Sequence, residues 1–240
     1  SWRDWLAAEV FDPLGLNETT SRTDSLPADR RVWGRQQGET WIAISPKPDS
    51  IMHPAGGIAT TPRDAARWLT ANLAQSGLPS VAFANQRVVA TDADADVLGA
   101  KCYGYALGLM ACDYGGFDVR AHFGTYAGWR AIMSYAPALD MGVYVIASSD
   151  NRAEIWSVVV ERQIYAIVRG EEGLEEQAEA RLGMFVEQAS AQRRSRIDER
   201  AAALAEAGSW TPSPAEIASL SGDYDSAVYG RLSIRSNGEG

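Results

Sequence analysis

From Tyr103 to Ser148 the chain alternates apolar segments of strand length with short glycine-bearing turns, and this run limits most of what it can fold into. Tyr103 to Met110 reads as one strand, followed by a turn at Asp113-Tyr114-Gly115-Gly116. Phe117 to Phe123, Trp129 to Tyr135 and Met141 to Ser148 supply three more. Connections this short favour an antiparallel meander. Val143, Tyr144, Val145 and Ile146 are apolar without alternation, the pattern of a central strand covered on both faces. Residues 153 to 168 then carry Trp156, Val159, Val160, Ile164 and Ile167 at helical spacing. The fold class expected is α+β, an antiparallel sheet flanked by helices.

Upstream of the strands the signals are helical. Trp2, Trp5, Leu6 and Val10 share one helix face, and Pro13 and Gly15 end that helix. Residues 17 to 50 are rich in Thr, Ser, Asp, Pro and Gly and read as a long surface excursion, with one strand near Thr40 to Ile44. Thr61 is suited to cap a helix, Pro62 to its first turn and Asp64 to a capping box. Ala65, Trp68, Leu69 and Leu73 form its apolar stripe, which stops near Gly77.

Downstream, Glu171 to Ala207 is charged and alanine-rich, with Leu174, Ala178, Leu182, Phe185, Val186 and Ala189 at spacings of three and four, an amphipathic helix. The basic island Arg193-Arg194-Ser195-Arg196 reads as a solvated face of it. After Pro212 and Pro214, β signals return at Ser221 to Tyr224 and Gly230 to Arg235, and Asn237-Gly238 announces a hairpin turn. The expected organisation is therefore residues 1–168, a helical linker 169–209, and a β module 210–240 cut within its first hairpin.

The net charge of −9 argues against nucleic-acid binding. No run of 18 apolar residues offers a membrane span. With only two histidines, no Cys/His cluster of zinc spacing exists, and no metal or other cofactor is expected. Cys102 and Cys112 flank the first strand. On one extended strand they lie ~33 Å apart, beyond disulfide reach, so both are expected as free thiols.

Four pieces, taken in order, carry a resemblance: Phe11-Asp12-Pro13-Leu14-Gly15-Leu16; Pro54-Ala55-Gly56-Gly57-Ile58 with Thr61 to Leu69; Tyr103-Gly104-Tyr105; and His122-Phe123-Gly124 through Ala147. Together they resemble the class C β-lactamase-like serine hydrolases, which include β-lactamases, D-alanyl-D-alanine carboxypeptidases, D-aminopeptidases and esterases of β-lactamase fold. The resemblance covers roughly residues 1 to 168, a partial β-lactamase/transpeptidase-like fold. The tail from Trp210 is similar to the start of a small β-barrel module often appended to this family.

The family uses Ser-x-x-Lys for nucleophile and base, Tyr-x-Asn or Tyr-x-Ser for proton transfer, and Lys/His-x-Gly for substrate binding. The third maps onto His122, Phe123 and Gly124. The resemblance implies that Thr125 offers a backbone N–H to an oxyanion, that His122 holds substrate or tunes the proton network, and that Phe123, Gly124 and Tyr126 line the substrate site. One such N–H is worth roughly 2.7–4 kcal/mol to acyl transfer.

The other two motifs are missing. Ile44 and Leu98 stand three places before the two lysines, Lys47 and Lys101. Tyr224-Asp225-Ser226 matches only as letters, in the tail. In the family both motifs precede the helix where this chain starts, so a chain truncated at its N-terminus, and at its C-terminus too, is expected. Ser149-Asp150-Asn151 follows the last strand and reads as a helix-capping turn, and His53 as a surface or structural histidine. The resemblance implies a parent serine hydrolase acting on a small-molecule acyl, peptide or β-lactam substrate through an acyl-serine, exported to the periplasm or secreted. This chain alone is expected to be inactive. The alternative is a non-catalytic binding module, or one half of a noncovalent assembly whose second chain carries the nucleophile.

Overall fold

The computed structural model describes residues 1–37, 41–44, 48–50, 53–97, 100–126, 128–148, 151–207, 213–226 and 230–235. They fall into two compact units, Ser1–Phe185 and Val186–Gly240.

The first unit opens with α1, Trp2–Leu6, whose N-terminus is closed by a reciprocal capping box between Ser1 and Asp4. One π-helical turn, Ala7–Phe11, extends it and buries Phe11. The segment from 17 to 50 holds two strands rather than one, β1 (Gly34–Gln37) and β2 (Trp41–Ile44), paired as an antiparallel hairpin. After α2 (His53–Gly56) comes α3 (Pro62–Ala74). Thr61 caps α3 by accepting the Asp64 N–H at 3.3 Å.

Asp64 does not return the capping bond. Its carboxylate accepts from the Glu18 N–H (2.7 Å), the Thr19 hydroxyl (2.9 Å) and Arg67 Nη1 (2.9 Å). Burial alone would raise its pKa, but these donors outweigh burial and hold the carboxyl below its ordinary value. The residue is fully buried, so it pins the loop after the first helix onto α3. Asp64→Ala leaves those donors unmatched and is expected to cost about 1–3 kcal/mol in urea unfolding. An unchanged midpoint would show that the network contributes nothing.

α4 (Ser80–Arg87) precedes a six-stranded antiparallel sheet of β3 (Thr91–Val97), β4 (Ala100–Tyr105), β5 (Met110–Asp113), β6 (Asp118–Tyr126), β7 (Trp129–Ala136) and β8 (Met141–Ser148), in that spatial order. β3 gives only a weak sequence signature, because the face carrying Ala93 and Ala95 is small and stays exposed. α5 (Asn151–Val168) covers one face of the sheet and α3 the other. α6 (Leu174–Ala207) runs from the first unit into the second, where α7 (Pro214–Leu220) leads to the hairpin β9 (Gly222–Ser226) and β10 (Gly230–Ile234). The Asn237-Gly238 turn lies outside the described residues, as do Ser149 and Asp150 of the capping triplet.

Three expectations are corrected. The run Tyr103–Met110 is not one strand: it breaks at Ala106–Leu109, where the Ala106 N–H donates to the Leu109 carbonyl at 2.7 Å and Gly108 takes φ +80°. The chain folds back there, so Cys102 pairs directly with Cys112. The two are not free thiols but a buried disulfide, with Cα atoms 3.8 Å apart. Finally, β8 is not central: among the described residues it pairs only with β7. Its apolar run reflects helices on both faces, and burial of a strand's faces says nothing about its edges.

Candidate active site

Among the described residues, the far half of β6 has one paired edge and one open edge. β7 follows β6 to its end, where Tyr126 stands opposite Trp129. β5 stops earlier, at Met110 opposite Ala121. From His122 to Tyr126 no described strand covers the β5 side. Which backbone groups face that side follows from antiparallel alternation. The Tyr114 N–H donates to the Phe117 carbonyl at 3.0 Å in the β5–β6 turn, so odd-numbered residues point toward β5. The two-residue connection between Tyr126 and Trp129 sets the same parity from the other end. Phe123 and Thr125 therefore turn N–H and C=O to the open edge. Such an edge accepts an extended chain or an acyl carbonyl.

Side chains alternate across the strand. His122, Gly124 and Tyr126 share one face, and Phe123 and Thr125 share the other. Phe123 packs against the cluster of Ile132, Val158, Val159 and Phe185 under α5, so its side chain serves the core and only its backbone reaches the edge. The Thr125 side chain is exposed. His122 is exposed opposite Met133, but nearby protein strips enough water to hold its pKa below the ordinary value. The lowered pKa favours the neutral imidazole, able to donate from one nitrogen and accept at the other.

Gly124 is not demanded by this chain's own packing. A Cβ there would meet nothing nearer than Ala131 Cβ at 3.7 Å. That is ordinary van der Waals contact, so the described residues leave room beside Gly124 on the His122 face of the strand. Tyr126 is tied to α2, because a Cβ on Gly56 would lie 3.3 Å from its ring. Gly128 is required: φ is +79°, and a Cβ would come within 2.7 Å of the Arg35 nitrogen. The β1–β2 hairpin leans on this turn, with the Arg35 N–H donating to the Gly128 carbonyl at 3.4 Å. The Ser148 hydroxyl donates to the Trp33 carbonyl at 2.9 Å. Sequence reasoning missed Trp33, Gly34 and Arg35 as walls of this region because a contact across about 90 residues leaves no local pattern. The side chain of His53 lies outside the described residues.

A serine, a glutamate and a tyrosine also meet elsewhere, but behind the sheet. The Ser134 hydroxyl donates to Glu161 Oε1 at 2.5 Å and lies 3.1 Å from the Tyr165 hydroxyl. All three are buried between α5 and the sheet, so this is a structural network sealed from substrate. Among the described residues no cluster of His, Cys, Asp and Glu is arranged to hold a metal ion. No helix among them is long and apolar enough to cross a membrane.

The family model for Beta-lactamase matches residues 1–159. The chain belongs to that family, the β-lactamase-like serine hydrolases. Members of the family act as serine hydrolases on amide and β-lactam bonds. Three solved structures share the fold. The octameric penicillin-binding protein homologue from Pyrococcus abyssi has a TM-score of 0.60 at 16% identity, over 71% of this chain and 38% of its own. The class C β-lactamase from Rhodobacter sphaeroides has 0.55 at 17%, over 70% and 55%. The D-stereospecific amidohydrolase from Streptomyces has 0.53 at 19%, over 69% and 47%. The chain thus spans about half or less of each of these proteins. No curated protein matches it in sequence.

Proposed function

We propose that this chain is the part of a β-lactamase-like serine hydrolase that forms the carbonyl-binding wall of the cleft. The observation that carries this reading is the open edge of β6, to which Thr125 turns its N–H. In acyl transfer that N–H would stabilise the tetrahedral oxyanion, and a fixed donor in a water-poor cleft does so without reorganising. Neutral His122 would hold the substrate or tune the proton network, Gly124 would admit the scissile group, and Tyr126 would line the cleft. The parent enzyme would cleave an amide, ester or β-lactam bond through an acyl-serine, with the serine supplied by a segment outside these 240 residues.

Residues 1–168 are assigned to the hydrolase fold, 169–209 to a helical linker and 210–240 to a β module. The first three turns of α6 stay with the hydrolase unit because Ala178, Leu182 and Phe185 pack on α5. The disulfide supports an oxidising compartment, in keeping with a periplasmic or secreted enzyme.

The test has two arms. The isolated chain is expected to form no covalent adduct with a fluorescent penicillin or a fluorophosphonate, whereas a chain extended upstream to include Ser-x-x-Lys should be labelled. In that longer enzyme His122→Ala should keep the fold and lower kcat/KM by about tenfold or more. Stoichiometric labelling of the isolated chain would overturn the site assignment, and an unchanged rate would return His122 to a structural role. An upstream gene region without Ser-x-x-Lys would favour a binding module instead.

A further inference from the structure

The turn between β4 and β5 decides where the open lane beside β6 begins. Met110 of β5 stands opposite Ala121, and Tyr105 of β4 stands opposite Met110. Ala106 to Leu109 therefore carry the hairpin past Ala121, toward the level of His122 and Phe123, since a strand advances ~3.3 Å per residue. Side-chain packing agrees with this register. Leu109 is buried with Tyr135 and Leu69, and Met133, the cross-strand partner of His122, packs on the same cluster. Among the described residues, the lane beside Gly124 and Thr125 is thus bounded at its Phe123 end by the hairpin tip, Leu107 and Gly108.

The flanks of this tip are tied down. The Ala106 N–H donates to the Leu109 carbonyl at 2.7 Å, and the Tyr105 carbonyl accepts from the Ala90 N–H at 2.9 Å. Ala106 and Leu109 are both buried, one on each side of the reversal. Behind the turn, the Cys102–Cys112 disulfide joins the two strands. Gly108 takes φ +80°, which sets the direction in which the chain turns back. Leu107 is 60% exposed between these anchors.

A lone exposed leucine is ordinary on a protein surface. This one stands at the tip of a tight turn, where small and polar residues are usual, and the turn holds it at the end of the lane that Thr125 faces. We propose that Leu107 is a specificity-determining residue, the apolar end wall of the substrate site, favouring an aryl or branched alkyl substituent on that side of the scissile carbonyl. The inference rests on reading the β6 edge as the acyl-binding edge. Contact between the substituent and Leu107 takes apolar surface of both out of water. Because the turn is anchored before substrate arrives, little ordering cost is set against that gain.

Hydrolysis of matched esters by the chain extended upstream to include Ser-x-x-Lys tests it. The pair p-nitrophenyl acetate and p-nitrophenyl phenylacetate varies the acyl side, and methyl acetate and benzyl acetate vary the leaving side. In at least one pair, Leu107→Ala should lower kcat/KM for the phenyl-bearing ester by about fivefold or more relative to its small partner. Leu107→Gln, which keeps the volume and adds a polar end, should shift the same ratio in the same direction. Both variants should keep the urea midpoint of the parent, because Leu107 is exposed. The proposal is overturned if both variants change the two members of each pair alike, or if an enzyme labelled by fluorophosphonate hydrolyses none of the four esters. An extended enzyme that takes no label, or that is indifferent to His122→Ala, would instead sink the reading of the β6 edge, and this proposal with it.

Discussion

Between pH 4.5 and about 8 the native chain should lose on the order of a few kcal/mol of stability that Glu161→Gln does not lose. Burial pushes the Glu161 carboxyl from 4.5 up to about 8, and the bond from the Ser134 hydroxyl only partly opposes this. At about 1.36 kcal/mol per pH unit, that rise is an upper bound, because the Arg162 guanidinium 3.1 Å from Oε2 opposes it. The sign follows from proton uptake. Because the folded state binds this proton more tightly than the unfolded chain, the contribution is fully present below pH 4.5. It is lost as pH rises to about 8 and is flat above.

Other groups act elsewhere or in the opposite sense. Asp4, Asp64, Glu216 and Asp223 have lowered pKa values and affect stability at acid pH. His122, also lowered, adds stability as pH rises through its range. Urea unfolding of both proteins across pH 4 to 9 isolates Glu161 by difference. Parallel curves would mean that the carboxyl is not held protonated by its burial.

Removing the disulfide is expected to cost about 3 kcal/mol, through Cys102→Ala/Cys112→Ala or by reducing the native chain. The bridge joins two strands already in register and closes a loop of ten residues, so the gain comes from restricting the unfolded chain. In the double variant the surrounding cluster of Ala100, Tyr114, Val119, Val143 and Tyr165 also loses sulfur contacts. Denaturant unfolding with and without reductant measures this. If reduction leaves the midpoint in place, the bridge is either not formed in solution or not stabilising.

The hydrolase resemblance was readable because it rests on local chemistry kept in order: the Phe11 to Leu16 helix end, a capped helix after Gly-Gly, Tyr103-Gly104-Tyr105, and a His-x-Gly strand with the strands that follow it. The placement of His122, Gly124 and Tyr126 on one face follows from strand alternation alone. That Phe123 is committed to the core was not readable. His-Phe-Gly-Thr looks the same whichever face meets α5, and only the packing of Val158, Val159 and Phe185 decides. The cysteine pairing failed for a related reason. Tyr103 to Met110 has strand composition throughout, and a turn at Ala106–Leu109 needs only one glycine with positive φ to reverse it. The Asp-Ala repeat of β3 was a weak signal because its small alanine face stays exposed even though the strand pairs with β4.

By itself, the sequence determined the family, the α+β class and the cap of α3. These depend on residue types at short spacing, where period and turn chemistry act directly. Only the tertiary structure decided that, among the described residues, β5 stops short of the Thr125 side of β6 and β8 pairs only with β7, and that Cys102 meets Cys112. Each depends on where strands end and which elements face one another, which are long-range relations that no local pattern of residues encodes.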